Sequence, residues 1–193
     1  MPSLAAPVQT SSATFLSPAT LSPAAIVSQF YLRKDDWVAD FGSGHGFFTI
    51  ALADAVGPEG RVYAIDIQKA SLDVLRAKAQ TARLLNIHLI WGNVDAPLGS
   101  KLRNEILDFV LVANTLFQCE QKEVAIEEAS RILKSGGKLA IIEWSGGKIP
   151  FGPPPELRIP PETVKDIATK IGFESQGEFN AGTHHYGLLF IKR

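Results

Sequence analysis

Residues 37–47 read Trp37-Val38-Ala39-Asp40-Phe41-Gly42-Ser43-Gly44-His45-Gly46-Phe47. A short apolar run, Trp37 to Phe41, gives way to three glycines spaced one residue apart. The stretch from Phe47 to Val56 then has helical periodicity and is stopped by Gly57 and Pro58. Strand, glycine loop and helix in that order form a ligand cradle, because glycines admit a close backbone approach and the helix offers free amides and a partial positive charge. The spacing departs from the dinucleotide fingerprint, whose third glycine would stand where Phe47 does. Asp40 at the strand end would repel a pyrophosphate and welcome an ammonium. S-adenosylmethionine carries an amino-acid end in place of phosphates, so its ammonium, or the water around it, is a partner for Asp40. The competing reading is a turn whose glycines serve only strand–helix packing.

Outward from this loop, short apolar runs alternate with amphipathic stretches, the pattern of a parallel sheet covered by helices on both faces. Arg61 to Ile65 reads as a second strand, and a long helix from Ala70 to Leu85 follows with Leu72, Leu75, Ala79, Ala82 and Leu85 on one face. Ile87 to Trp91 and Leu107 to Ala113 are the third and fourth strands, with room for only a short helical turn between them. Val124 to Leu133 is helical, and a Lys134-Ser135-Gly136-Gly137 turn leads to a fifth strand, Lys138 to Glu143. A loop with Pro150, Pro153, Pro154, Pro155, Pro160 and Pro161 precedes a helix over Glu162 to Ile171. Phe173 to Phe179 and Tyr186 to Lys192 then pair as an antiparallel hairpin at the sheet edge.

Upstream, Ser22 caps a short helix with Pro23 in its first turn and with Ile26, Val27, Phe30 and Tyr31 at helical spacing. Residues 1–20 read as a flexible Ser/Pro/Ala-rich tail, leaving residues 21–193 as a single domain. A chain of 193 residues suits one core rather than two. Hydrophobic residues at 46% and charged residues at 20% place it among globular proteins. A net charge of −1 gives no bulk field for nucleic acid or an anionic membrane. Cys119 is the only cysteine, which rules out an intramolecular disulfide framework and fits a reducing compartment. Prolines interrupt any signal-like apolar run near the start, and no stretch is long enough for a membrane span. The expected location is cytoplasmic.

Further acids and amides fall where a nucleoside would need them. Asp66, about twenty residues past the loop, can receive both ribose hydroxyls, or can simply cap the helix that follows. Asn93, in Gly92-Asn93-Val94-Asp95, can meet the adenine amino group while a backbone amide meets the ring nitrogen, with Asp95 as the alternative. Asn114, beyond the fourth strand, falls below the sulfonium and amino-acid end.

Taken in order, these residues resemble the class I S-adenosylmethionine-dependent methyltransferases from about Trp37 to Lys192. Asp40 to Gly46 is similar to the first motif of that family, Asp66 to its acidic second-strand motif and Gly92-Asn93 to its adenine motif. Leu133-Lys134-Ser135-Gly136-Gly137-Lys138-Leu139 is similar to the turn before its fifth strand. The resemblance implies an α/β fold, a Rossmann-like, doubly wound sheet of seven strands in the order 3-2-1-4-5-7-6 with strand seven antiparallel, within a three-layer α/β/α sandwich. It implies S-adenosyl-L-methionine as cofactor, held by Asp40, Phe41, Gly42, Ser43, Gly44, Gly46, Asp66, Ile67, Asn93, Val94 and Asn114. Around Glu143-Trp144 and the proline loop it is closest to small quinone-biosynthesis-like (type 11) members, which implies a small or aromatic methyl acceptor. Phe15-Leu16-Ser17-Pro18, Ile26-Val27-Ser28 and Gly57-Pro58-Glu59-Gly60-Arg61-Val62 are similar to pieces of RNA methyltransferases, the second reading. A cofactor-binding regulatory module without turnover is a third, and a nicotinamide dehydrogenase a fourth that the loop spacing and Asp40 disfavour.

Ligands of open α/β sheets bind beyond the carboxyl ends of the strands, which brings Trp144, His184, His185 and Tyr186 to the acceptor side. Methyl transfer from a sulfonium is an in-line displacement of an already activated group, so a base is optional. Where a proton must leave, His185, Glu143 and Tyr186 are the candidates. Trp144 and Tyr186 are placed to flank a planar acceptor, and His184 and His185, adjacent on a strand, point apart and make a poor metal pair.

Overall fold

The computed structural model describes residues 22–147 and 152–193. The expected tail over residues 1–20, with its Phe15-Leu16-Ser17-Pro18 stretch, and Pro150 lie outside the described residues. Five strands follow the glycine loop's lead: β1 (Trp37–Phe41), β2 (Arg61–Asp66), β3 (Ile87–Trp91), β4 (Leu107–Ala113) and β5 (Leu133–Trp144). They pair in parallel in the order β3-β2-β1-β4-β5. The final hairpin, β6 (Phe173–Phe179) and β7 (His185–Lys192), completes seven strands in the order 3-2-1-4-5-7-6, with β7 antiparallel to both neighbours. The last strand is therefore interior, and β6 is the edge.

Alternate residues along the strands feed two cores, one on each face, as parallel strands buried on both sides require. Phe41, Ile65, Val112, Ile141 and Phe190 pack under α4 (Lys122–Ile132) and α5 (Pro161–Ile171). Val38, Val62, Phe109, Leu111 and Ile142 pack under α1 (Pro23–Val27) and α2 (Thr49–Val56). Phe30, in the 3-10 turn after α1, sets its ring 4.9 Å from Phe109 and 5.1 Å from Phe179. The result is a Rossmann-like α/β/α sandwich. No helix among the described residues is long and apolar enough to cross a membrane.

Four departures from the sequence expectations have identifiable causes. Helix α3 (Lys69–Thr81) stops short of Leu85, which is 93% exposed. Arg83 turns left-handed (φ 56°), and the amides of Arg83 and Leu84 bond back to Gln80 and Ala79 at 3.1 and 2.9 Å, closing the helix in a Schellman motif. That turn delivers Asn86, whose buried side-chain amide donates to the carbonyls of Ala53 and Gly57. Helix α2 begins at Thr49 rather than Phe47, because the glycine loop runs on through Gly46 at φ 83°. Tyr31 leaves the apolar face of the first helix because it too turns left-handed (φ 52°), and its ring is exposed. The Lys134-Ser135-Gly136-Gly137 turn lies inside β5: Leu133 pairs with Leu107, residues 134–137 bulge, and pairing resumes at Lys138 with Phe109.

Between β3 and β4 the chain makes turns rather than a helix, and a buried carboxylate holds them. Glu128 of α4 accepts from the Ser100 amide at 3.0 Å and from the Arg131 guanidinium at 2.7 and 2.8 Å, and Arg131 reaches on to Asn104. Burial alone would raise the Glu128 pKa, but the bonds from Arg131 and Ser100 outweigh it and hold the carboxyl below its ordinary 4.5. A depressed acid stabilises the fold above its unfolded pKa and loses that contribution as pH falls through the folded value. Glu128→Ala is expected to lower the unfolding free energy by about 3 kcal/mol at neutral pH, since it strands a partly buried guanidinium. The deficit should shrink on acidification below the ordinary glutamate pKa, which denaturant melts at neutral and acid pH would read.

Candidate cofactor cleft and acceptor side

The parallel pairing of β1 with β2 puts the glycine loop beside the end of β2, and Asp66 fastens the two together. Its Oδ2 accepts from the Gly44 amide and its Oδ1 from the Gln68 amide, both at 2.7 Å. The amides of Gly42 and Ser43 donate to the Ile65 carbonyl at 2.9 and 3.1 Å. Asp66 is 8% exposed, and it lines a cleft of about 550 Å³, within the size range of small-molecule sites. Each carboxylate oxygen has further lone-pair capacity on the cleft side, suited to a pair of hydroxyls.

The three loop glycines have different causes. At Gly42 (φ 68°) a Cβ would run into the Thr115 side chain, and at Gly46 (φ 83°) into Leu75. At Gly44 (φ 51°) the nearest atom to a Cβ would be the Gly42 carbonyl at 4.0 Å, so that space is open and belongs to the cleft. Packing and a left-handed backbone thus call for two glycines, while at the third only the left-handed backbone does and the space beside it is open.

Along the cleft, Ile67 stands exposed with its carbonyl held by the Trp91 indole at 2.9 Å. Gly92, Asn93 and Val94 form the opposite end, where Asn93 Oδ1 accepts from the Asp95 amide at 3.1 Å. Asp95 uses both carboxylate oxygens on the amides of Glu120 and Gln121, at 2.7 and 2.9 Å, which closes the wall between β3 and α4. Asp95 and Asn93 both line the cleft. Gln68, Ser71, Thr115 and the Gln118–Gln121 segment also line the cleft. Sequence reading did not place them here; Gln68 and Ser71 follow Asp66 directly, and the fold alone brings Thr115 and Gln118–Gln121, after β4, to the same cleft. Cys119 is buried in this wall, its thiol pushed up to about 11 by burial and the nearby Asp95, which leaves it protonated.

Asp40, Phe41, Ser43, Gly46 and Asn114 support the cleft without lining it. Phe41 is core. Asp40, 2% exposed, accepts from the Thr49 hydroxyl at 2.6 Å. Burial pushes its pKa up to about 7 against the Thr49 bond, with the Asp66 charge adding to the rise. Asn114 sits left-handed (φ 53°) just past β4, its amide bonded to Ile142 at 2.8 Å. Asn114 Oδ1 and Ser43 Oγ, at the strand ends, are buried without a hydrogen-bond partner.

The acceptor-side residues separate. Trp144 pairs with His185, and Glu143 with Tyr186, so the two pairs face opposite sides of the sheet. Trp144 and Tyr186 therefore do not flank one site. The Trp144 ring lies 4.3 Å from the His185 ring instead. Tyr186 donates its hydroxyl to the Ile159 carbonyl at 2.9 Å, and burial together with Glu143 pushes its pKa up. Glu143 is fully buried beneath the rim, where Oε1 accepts from the Leu116 amide at 2.8 Å and burial lifts its pKa to about 7. His185 is lowered to about 4 by burial and by repulsion from His184, so it is neutral at physiological pH. His184, just before β7, accepts at its carbonyl from the Ser145 amide. The Gly57 to Val62 segment turns into β2 at the opposite end of the sheet from the cleft.

Known proteins share this fold. A SAM dependent methyltransferase from Aquifex aeolicus superposes with a TM-score of 0.83 at 26% identity, covering 91% of this chain and 92% of that one. A putative type 11 methyltransferase from Sulfolobus solfataricus has the same fold, with a TM-score of 0.69 at 24% identity over 83% of this chain and 85% of that one. A demethylmenaquinone methyltransferase of Geobacillus sp. (strain WCH70) is 32% identical over 59% of this chain and 47% of its own length. The one from Staphylococcus aureus (strain JH9) is 31% identical over 65% and 50%. The chain spans about half the length of the curated relatives it matches. Residues 32–172 match the family model described as a methyltransferase domain, which covers more than half of the sequence, and the chain belongs to the methyltransferase-domain family.

Proposed function

We propose that the protein is an S-adenosyl-L-methionine-dependent methyltransferase of the cytoplasm, built as one domain and acting on a small, ring-bearing acceptor of the quinol type. The observation that carries this is the Asp66 carboxylate, fixed by the Gly44 and Gln68 amides at the edge of a cleft whose floor at Gly44 has no room-filling side chain. A nucleoside fits that floor, with its ribose hydroxyls on Asp66, its base between Ile67 and Val94 and its amino group at Asn93. Ser43 Oγ and Asn114 Oδ1, both without partners, suit the amino-acid end, and Asp40 supports it from behind the loop. The cofactor supplies a methyl group already activated as a sulfonium.

What the chain does is orient. His185 is a weak base at neutral pH, Tyr186 is tied to Ile159 and Glu143 is buried, so in this reading the proton that methylation displaces from the quinol passes to solvent rather than to one of these side chains. Holding donor and acceptor in line supplies the acceleration. The quinol-type acceptor is supported by the two demethylmenaquinone methyltransferases, whose names give that substrate, and by the aromatic Trp144–His185 pair on β5 and β7, the two strands beyond β4. Transfer of labelled methyl to a short-chain prenylated 1,4-naphthoquinol, kept reduced with dithionite, tests it directly. Calorimetry with S-adenosylhomocysteine and with NAD separates the cofactor assignment from the acceptor assignment.

Two glycine variants should divide affinity from stability. Gly44→Val is expected to fold, at a strain of about 1–2 kcal/mol for its left-handed backbone, and to abolish S-adenosylhomocysteine binding. Gly42→Ala should instead melt early, by about 1–3 kcal/mol, because its Cβ meets Thr115. Asp66→Ala is expected to weaken binding about 100-fold or more, the loss of two hydrogen bonds to a charged group. Calorimetry and denaturant melts on all three check these outcomes, and a Gly44→Val protein that binds normally contradicts the placement. Because Asp40 titrates near 7 and its ionised form favours a cationic ligand, affinity for S-adenosylmethionine should rise as pH increases through neutrality. Asp40→Asn should flatten that rise.

A further inference from the structure

Ile67 is an apolar side chain left open to water. It is 60% exposed, stands between Asp66 and Gln68, and lines the cleft with both of them. An aliphatic group so placed gains burial when a ligand covers it. Its backbone is nevertheless held fast. The Trp91 indole, at the end of β3, donates to the Ile67 carbonyl at 2.9 Å, and the Trp91 carbonyl accepts from the Lys101 ammonium at 2.6 Å. Lys69, two residues past Ile67, sets its own ammonium 3.9 Å from the centre of the Trp91 ring, a cation–π contact. The turn from Ile67 to Lys69 is thus gripped at both ends by one side chain. Trp91 is half-exposed and does not itself line the cleft.

The ties of the neighbouring Asp66 are separate. Its carboxylate accepts from the Gly44 and Gln68 amides, and its carbonyl accepts from the Gly92 amide at 3.1 Å. None of these bonds passes through the indole. On the reading under Proposed function, the ribose rests on Asp66 and the base lies between Ile67 and Val94, so the two residues serve different parts of one nucleoside. A planar base offers its flat face to apolar side chains, and the area gained depends on where those side chains stand.

We propose that Trp91 is the positioning residue of the base end of the cleft: its indole N–H and ring hold the Ile67–Lys69 turn so that Ile67 is a preformed platform for the base. A platform fixed in advance does not have to be ordered by the ligand.

The test is a double-mutant cycle on the full chain, read as S-adenosylhomocysteine affinity by calorimetry. Trp91→Phe keeps a ring for Lys69 and removes the bond to Ile67, and should weaken binding about fivefold. Ile67→Ala removes the platform and should cost about tenfold. The pair together should cost about as much as Ile67→Ala alone, because Trp91 acts through Ile67. Trp91→Leu, which loses the bond and the ring, should cost more than Trp91→Phe in the wild-type background and equally little beside Ile67→Ala. Losses that multiply, to about fiftyfold in the double variant, overturn the inference, because a general structural role adds to the loss of Ile67 instead of acting through it. Unchanged affinity in Trp91→Phe and Trp91→Leu overturns it as well, and so does unchanged affinity in Ile67→Ala. A wild type that ignores S-adenosylhomocysteine fails the methyltransferase reading itself, a different result.

Discussion

One carboxylate organises the cofactor end of this molecule. Asp66 accepts the amides of Gly44 and Gln68 with its two oxygens, and so joins the loop after β1 to the turn after β2. Without it the glycine loop would keep its amide contacts to the Ile65 carbonyl, its own Gly46–Ser43 turn and the Lys78 bond to the His45 carbonyl. The sheet makes this bridge available, because parallel neighbours deliver their carboxyl ends to the same edge. The bridge in turn leaves lone pairs unused, so the residue that shapes the site also lines the cleft. Asp95 does the same job on the opposite wall, where both its oxygens are taken by the amides of Glu120 and Gln121.

Much of this was legible in the sequence because its causes are local. A five-residue apolar run, a glycine loop and a helical period specify strand, turn and helix wherever they occur, and their repetition specifies a parallel sheet. That Asp66 ends β2 was legible because one helix and one strand set its distance from the loop, and Asn93 follows β3 after one more of each. The ends of elements were not. Helix α3 stops at Thr81 because Asn86 must reach the carbonyls of Ala53 and Gly57, a demand made more than 25 residues away in the chain. The glycines show the same limit: the sequence could not separate the two that pack against Thr115 and Leu75 from the one that faces open space.

The acceptor side was the least legible part. Trp144 and Tyr186 lie near each other along the strand ends, yet the pairing register sends them to opposite faces. Burial decides the chemistry of the titratable groups nearby, holding His185 neutral and drawing Glu143 under the rim, and burial is a property of the fold rather than of any motif. Arg158 carried no sequence signal at all. Three carbonyls, 5 to 13 residues upstream, converge on its guanidinium only once the chain is folded.

Cofactor recognition by Asp66 is the claim on which the rest stands, and a crystal structure of the protein with S-adenosylhomocysteine tests it most directly. The account predicts both ribose hydroxyls within hydrogen-bonding distance of the Asp66 carboxylate, the Gly44 and Gln68 amides still bonded to it, and the base beside Asn93. A ligand seated elsewhere, or a ribose turned away from Asp66 with the carboxylate bonded to the amides alone, would contradict it.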